Sequence, residues 1–119
     1  MSITILSQSA VIGGLQDQGT PARPLSSPLP RLSGIEVEVA GAGDNRSGIW
    51  ECEPGQFERQ LANAEVMHIL TGAGTFTPTG GIAREFRAGD TLFFPANTTG
   101  AWHVRETLRK VYVVMALPA

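Results

Sequence analysis

Hydrophobic and polar positions alternate with a period of two along much of the chain. Residues 35–40 (IEVEVA) alternate apolar and acidic side chains, and residues 47–53 place Trp50 and Cys52 on one face. Side chains of a β-strand point alternately to its two faces, so this period predicts strands that are buried on one side. No sustained helical period interrupts the pattern. The sequence therefore predicts an all-β protein.

Turn residues divide this pattern into short segments. The chain has 14 glycines and 8 prolines, scattered between the apolar runs. Many short strands between such turns are typical of a β-sandwich or a barrel. Residues 19–34 hold four prolines and are predicted to form an extended arm. The predicted strands, about nine in all, comprise residues 35–40, 47–53, 56–61, 66–71, 75–79, 82–87, 91–94, 100–106 and 109–117.

Length and charge restrict the classes of function. A chain of 119 residues and 12.6 kDa has room for one core, so one domain is expected. The chain has 9 Lys and Arg residues against 11 Asp and Glu residues. It therefore lacks the excess of positive charge that would attract nucleic acid or an anionic membrane surface. The single cysteine, Cys52, excludes an internal disulfide, and no apolar leader is recognisable. We therefore expect a cytoplasmic protein without nucleic-acid or membrane partners.

Two segments resemble the motifs of the cupin superfamily. Residues 65–72 (EVMHILTG) resemble the second half of cupin motif one, and residues 89–97 (GDTLFFPAN) are similar to the start of motif two. The segments GIWECEPGQF, GAWHV and LRKVYVV, which begin at Gly48, Gly100 and Leu108, extend the likeness. Together these segments resemble a small cupin family related to the (S)-ureidoglycine aminohydrolase cupin domain.

This resemblance implies a jelly-roll barrel with a pocket in its interior, commonly packed as a homodimer. It assigns residues 1–45 to N-terminal strands and an arm that pack on the barrel, and residues 46–119 to the barrel core. Metal-binding cupins carry a His-x-His pair before the glutamate of motif one and a third histidine after motif two begins. Here those positions hold residues 58–61, without a histidine, and Gly100, so Glu65 alone remains. Since one carboxylate cannot hold a divalent ion, we predict no cofactor and no tightly held metal.

Glu65 is the main candidate for chemistry. It begins an apolar strand, where a carboxylate is costly to bury without a partner. Arg59, Arg109 and Lys110 are the candidate partners. An inward Glu65 could act as a general acid or base, or it could form an ion pair that braces the barrel mouth.

Lys110 is the second catalytic candidate. It is the only lysine of the chain and shares a strand face with Tyr112. An inward lysine could bind a carboxylate or form a Schiff base, whereas a lysine that extends its ammonium into water is the commoner case. Besides Glu65, the predicted ligand-binding residues are the large side chains expected at inward positions: Trp50, Met67, Phe76, Phe94, Trp102 and Tyr112.

The other reactive side chains are predicted to be structural. Strand parity places His68 on the face opposite Glu65, and His103 on the face opposite Trp102. Cys52 is predicted to be a buried thiol. Residues 111–115 are apolar throughout, so either the arm or a second copy of the chain must cover their outer face, and we expect a homodimer.

Three functions remain open from the sequence. The favoured hypothesis is a small cupin that binds a polar small molecule in the barrel interior without a tightly held metal. The alternative is a cupin enzyme acting on a ureido, amide or sugar-acid substrate, with Glu65 as general base or as ligand of a weakly held divalent metal. A third is a protein that acts through its dimer surface and has a barrel filled by side chains.

Overall fold

The computed structural model describes residues 2–116, and every regular element within them is a β-strand. This confirms the all-β prediction. No helix that could cross a membrane occurs in this part of the chain. The strands are β1 (Gln16–Gly19), β2 (Leu32–Val37), β3 (Arg46–Cys52), β4 (Gly55–Leu61), β5 (Ala64–Pro78), β6 (Arg84–Arg87), β7 (Thr91–Phe94) and β8 (Thr98–Met115).

Two long strands, β5 and β8, hold the fold together. The first half of β5 pairs with β7 and with the second half of β8, and β3, β2 and β1 continue that sheet. The second half of β5 pairs with β6 and with the first half of β8, whose other neighbour is β4. All of these pairings are antiparallel. All eight strands belong to one continuous sheet, whose two parts, called the larger and the smaller sheet below, are joined through β5 and β8. Their inward faces share one core, as expected for the predicted jelly-roll barrel.

Bulges explain why two pairs of predicted strands are single strands in the structure. Residues 66–71 and 75–79 belong to β5, which changes register three times between Ile69 and Gly74. Gly72 has a positive φ of 95° there, and a Cβ at this position would meet the carbonyl oxygen of Thr107. Glycine therefore makes a bend within a strand rather than a turn between two strands. Residues 100–106 and 109–115 likewise form β8, and residue 117 of the last predicted strand lies outside the described residues.

The N-terminal third differs from the prediction in its strand bounds. β1 is polar and was not predicted, and β2 begins at Leu32 rather than at residue 35. Part of the predicted arm runs along the edge of β4. The amide of Glu58 donates to the carbonyl of Arg23 at 2.9 Å, and the amide of Leu25 donates to the carbonyl of Gln56 at 2.8 Å. Although prolines lack a backbone N–H, the other residues of the arm still supply donors for this pairing. The number of prolines in the arm does not show where the arm will pair.

The inward faces of the strands form one apolar core. Trp50 and Cys52 point inward from β3, and Trp102 and Val104 point inward from β8, all four buried. The other buried members of this core are Leu32, Phe57, Met67, Ile69, Phe76, Phe86 and Leu108.

The N-terminal segment covers part of the outer face of the larger sheet. The Arg109 guanidinium donates to the carbonyl of Ser9 at 3.0 Å and to that of Ile12 at 2.8 Å, and it pairs with Glu51 at 2.9 Å. Phe93, with 75% of its surface exposed, Val113 and Met115 lie on exposed outer positions. Residues 9–12 thus lie beside Arg109, whereas Val113 and Met115 of the apolar segment 111–115 stay exposed.

Candidate functional site

A buried ion pair links β5 and β8 on their inward faces. The Nζ atom of Lys110 lies 3.2 Å from Oε2 of Glu65, and each side chain is only 8% exposed. The same Nζ lies 3.5 Å from the sulfur of Met67. Of the three cations considered as partners for Glu65, the structure selects Lys110. Arg109, which precedes Lys110 on β8, faces the outer side of the sheet and pairs with Glu51.

Aromatic rings surround the Lys110 ammonium. Its Nζ lies 4.6 Å from the ring centre of Trp50, 5.5 Å from that of Trp102 and 6.0 Å from that of Tyr112. Cation–π attraction at these distances stabilises a charged amine that has lost its water. The pair therefore has three compensations for burial: the opposite charge, the hydrogen bond and the rings.

Burial changes the acid–base properties of this cluster. Loss of water lowers the pKa of Lys110 to about 8, against an opposing effect of Glu65 and with a further lowering by the Arg59 guanidinium. Burial also raises the pKa of Cys52 to about 12, despite the nearby Lys110 charge. Cys52 is therefore a buried neutral thiol near neutral pH, as its position beside Trp50 predicted. Burial raises the pKa of Tyr112 as well, and Glu36 adds to that rise.

The predicted ligand-binding aromatics form a packed cluster around Trp102. The Trp102 ring centre lies 4.9 Å from that of Phe76 and 5.8 Å from that of Phe94, and Trp102 is 2% exposed. Phe86, which the sequence reasoning did not select, completes the cluster at 5.5 Å from Trp102. Its aromatic side chain within a predicted strand is the sequence signal that could have found it. This end of the interior is filled by side chains.

Arg59, predicted only as a possible partner for Glu65, is a further functional candidate. It lies on β4, which pairs with the first half of β8, and the residue is exposed. Its Cζ atom lies 5.9 Å from the ring centre of Trp50. The cationic groups of Arg59 and Lys110 therefore lie within 6 Å of one tryptophan ring. Strand alternation puts Arg59 on the same face of β4 as the buried Phe57 and Leu61, and this pattern could have identified it from the sequence.

A groove of about 620 Å³ opens beside Arg59. Its walls are the arm, residues 57–60 of β4, the β5–β6 turn and the start of β8. The arm, predicted as an extended segment, is therefore one wall of this groove.

The side chains present do not fit a tightly held metal ion. At Gly100, where the resemblance implied a histidine position, a Cβ would lie 2.7 Å from the ring of Phe76. His68 bonds to Thr91 at 2.8 Å on the outer face, and His103 is also exposed on the outside. Within residues 2–116, no three or more His, Cys, Asp or Glu side chains converge on a possible metal position.

The fold and the inward-facing pair define this protein as a small cupin. The family model described as "EutQ-like cupin domain" matches residues 39–112, so the chain belongs to the EutQ-like cupin family. This confirms the cupin prediction. It does not confirm the narrower likeness to the (S)-ureidoglycine aminohydrolase cupin domain.

Solved structures show the same fold. A DUF861-family protein of unknown function from Pseudomonas syringae pv. tomato has a TM-score of 0.77 and 24% identity over 87% of this chain and 45% of its own. This chain thus spans less than half of that protein. The Clostridium difficile EutQ protein has a TM-score of 0.65 and 17% identity over 78% of this chain and 75% of its own. A putative ethanolamine utilization protein Q from Salmonella typhimurium has a TM-score of 0.61 and 20% identity over 73% of this chain and 69% of its own. A comparison with curated proteins finds no match.

Proposed function

We propose that this cupin binds a small polar molecule in the barrel mouth, over Trp50 and beside the Glu65–Lys110 pair, without a tightly held metal. The observation that carries the proposal is the convergence of Lys110 and Arg59 on the Trp50 ring, at 4.6 Å and 5.9 Å, with the carboxylate of Glu65 beside Lys110. Charged groups are costly to bury and are retained where they serve recognition or chemistry.

The charges of this cluster favour a ligand that carries hydrogen-bond acceptors. Lys110 and Arg59 supply two positive charges, and Glu65 balances one of them. The remaining positive charge and the donors of the guanidinium are available to a polar group. Tryptophan rings suit the less polar part of such a molecule.

Native mass spectrometry of gently purified protein tests this proposal. We expect a small-molecule adduct on the wild-type chain, and its loss in the variant that combines Glu65→Gln with Lys110→Met. Arg105→Gln is the matched control, because Arg105 is exposed and its ion-pair distance to Glu85 is 3.9 Å. No adduct from any preparation, together with no binding from a metabolite library, would instead support the filled barrel that acts through its surface.

A second candidate function is catalysis on a ureido, amide or sugar-acid substrate. The observation that favours it is the lowered pKa of Lys110, about 8, beside a carboxylate. Lys110 can therefore exchange a proton near neutral pH and would serve as the acid, while Glu65 is the candidate general base. Glu65→Gln would then abolish turnover while the variant remains folded. A purely structural pair would give lost thermal stability without an effect on any turnover.

The homodimer and the cytoplasmic location remain part of the proposal. The exposed outer positions of Phe93, Val113 and Met115 support a second copy on the larger sheet. Light scattering at micromolar concentration tests this directly, and a mass of one chain would contradict it.

A further inference from the structure

The groove beside Arg59 is built from both sheets and the arm. Phe57 and Arg59 of β4 and Leu32 of β2 line it together with residues 20–25 of the arm. Residues 77–81, at the end of β5 and in the turn that follows it, form the facing wall. Its volume of about 620 Å³ is in the range of sites that hold small molecules.

The charged lining of the groove is unbalanced. It consists of Arg23, Arg59 and Glu58, which is two cations and one carboxylate. Neither arginine takes part in any of the ion pairs found within residues 2–116. The groove therefore has a positive charge that the described part of the chain does not neutralise.

The Arg59 guanidinium lies near the Trp50 ring. Its Cζ lies 5.9 Å from the centre of that ring, and its backbone is paired with Gly100 in the sheet. Within residues 2–116 its guanidinium takes part in none of the ion pairs, so its N–H donors are available to a ligand. These donors form a planar fork that matches the two oxygens of a carboxylate.

The rest of the lining favours a ligand with a hydrocarbon body. Apolar side chains form much of the wall, and the hydroxyl of Thr99 is already bonded to that of Thr79 at 2.9 Å. The polar side chains of Thr20, Gln60 and Thr77 also line the groove and can bond to polar groups of the same ligand. The apolar lining residues are Pro21, Ala22, Leu25, Leu32, Phe57, Pro78 and Ala101.

We propose that the groove binds the carboxylate of a small organic acid, with Arg59 as the anchor and the apolar wall around the hydrocarbon body. This rests on the proposed function through Arg59, which lines the groove and lies near Trp50, whereas Trp50, Glu65 and Lys110 are not among the residues that line the groove. Arg23, on the arm, would add a second positive charge near the same carboxylate.

Titration calorimetry with benzoate, pentanoate, benzamide and inorganic phosphate tests the assignment. We expect both acids to bind the wild-type chain and benzamide, the uncharged analogue of benzoate, to bind about tenfold or more weakly. Arg59→Gln should weaken binding of the acids by a similar factor, and Arg59→Lys should recover part of it because the charge remains without the fork. Arg105→Gln, outside the groove, should bind like the wild type. Circular dichroism verifies that each variant is folded.

Three outcomes would overturn the assignment. Failure of both acids to bind at millimolar concentration is the first. Equal binding of benzamide and benzoate, or no effect of Arg59→Gln, is the second. Tighter binding of phosphate than of either acid is the third, and it would indicate a site for an inorganic anion. A small-molecule adduct that depends on Glu65 and Lys110 in the mass spectra would leave the proposed function intact in each case.

Discussion

Replacement of Lys110 by methionine should strongly destabilise the protein, and addition of Glu65→Gln should restore most of the loss. Methionine keeps much of the length of the lysine side chain and removes its charge. Because the two side chains are each only 8% exposed, solvent cannot replace the lost partner of Glu65. The single variant therefore leaves a buried carboxylate beside apolar rings.

The expected magnitude follows from the burial of both partners. Removal of one member of a buried ion pair costs about 3–5 kcal/mol, whereas replacement of both members by uncharged groups of similar size is often near neutral. Domains of this size have a total free energy of unfolding of about 5–15 kcal/mol. The single variant should thus lose a large fraction of its stability, and the double variant should remain close to the wild type.

Urea unfolding at pH 7, followed by circular dichroism and by tryptophan fluorescence, measures these differences. Arg105→Met serves as the control. Its exposed pair with Glu85 spans 3.9 Å, and its loss should change stability by about 0.5 kcal/mol or less. A loss below about 1 kcal/mol in Lys110→Met would refute the reasoning, since it would mean that water reaches the pair. A double variant as unstable as the single one would show that packing, not charge, causes the loss.

Further measurements test other parts of the structure. The pKa of Lys110 falls from 10.5 to about 8 in the folded state, so between these values the unfolded chain binds more protons. Urea titrations from pH 7 to 9 should therefore show the Lys110 contribution to stability rising with pH, until the raised pKa of Cys52 opposes it above about pH 9. If the difference in free energy of unfolding between the wild type and Lys110→Met does not change with pH across this range, the prediction is wrong. Arg109→Gln should speed amide exchange in residues 9–12, which its guanidinium holds; unchanged exchange would mean that other contacts hold the segment. Gly100→Ala should lower the melting temperature, because its Cβ would lie 2.7 Å from a phenylalanine ring. Elemental analysis of untagged protein should find substoichiometric Mn, Fe, Ni and Zn, and near-stoichiometric metal would overturn the metal-free proposal.

Local patterns in the sequence were sufficient for the fold class and for the faces of the strands. The period of two is a property of strand geometry, so Trp50 with Cys52, and Trp102 with Val104, could be assigned to shared faces without any tertiary information. Two motif-like segments around Glu65 and Gly89 were sufficient for the cupin superfamily, which the family match over residues 39–112 confirms. The cost of burying a carboxylate also predicted that Glu65 needs a cation.

Only the tertiary structure decided which cation that is and where the binding space lies. Lys110 meets Glu65 because β5 and β8, 45 residues apart at this pair, lie side by side in an antiparallel register that pairs Glu65 with Val114 and Ile69 with Lys110. Arg59 of β4 lies near Trp50 of β3, and the arm becomes a wall of the groove by pairing with β4. The physical reason is the range of the interactions: alternation and turn propensity act within a few residues, whereas strand register and sheet closure depend on contacts between distant parts of the chain.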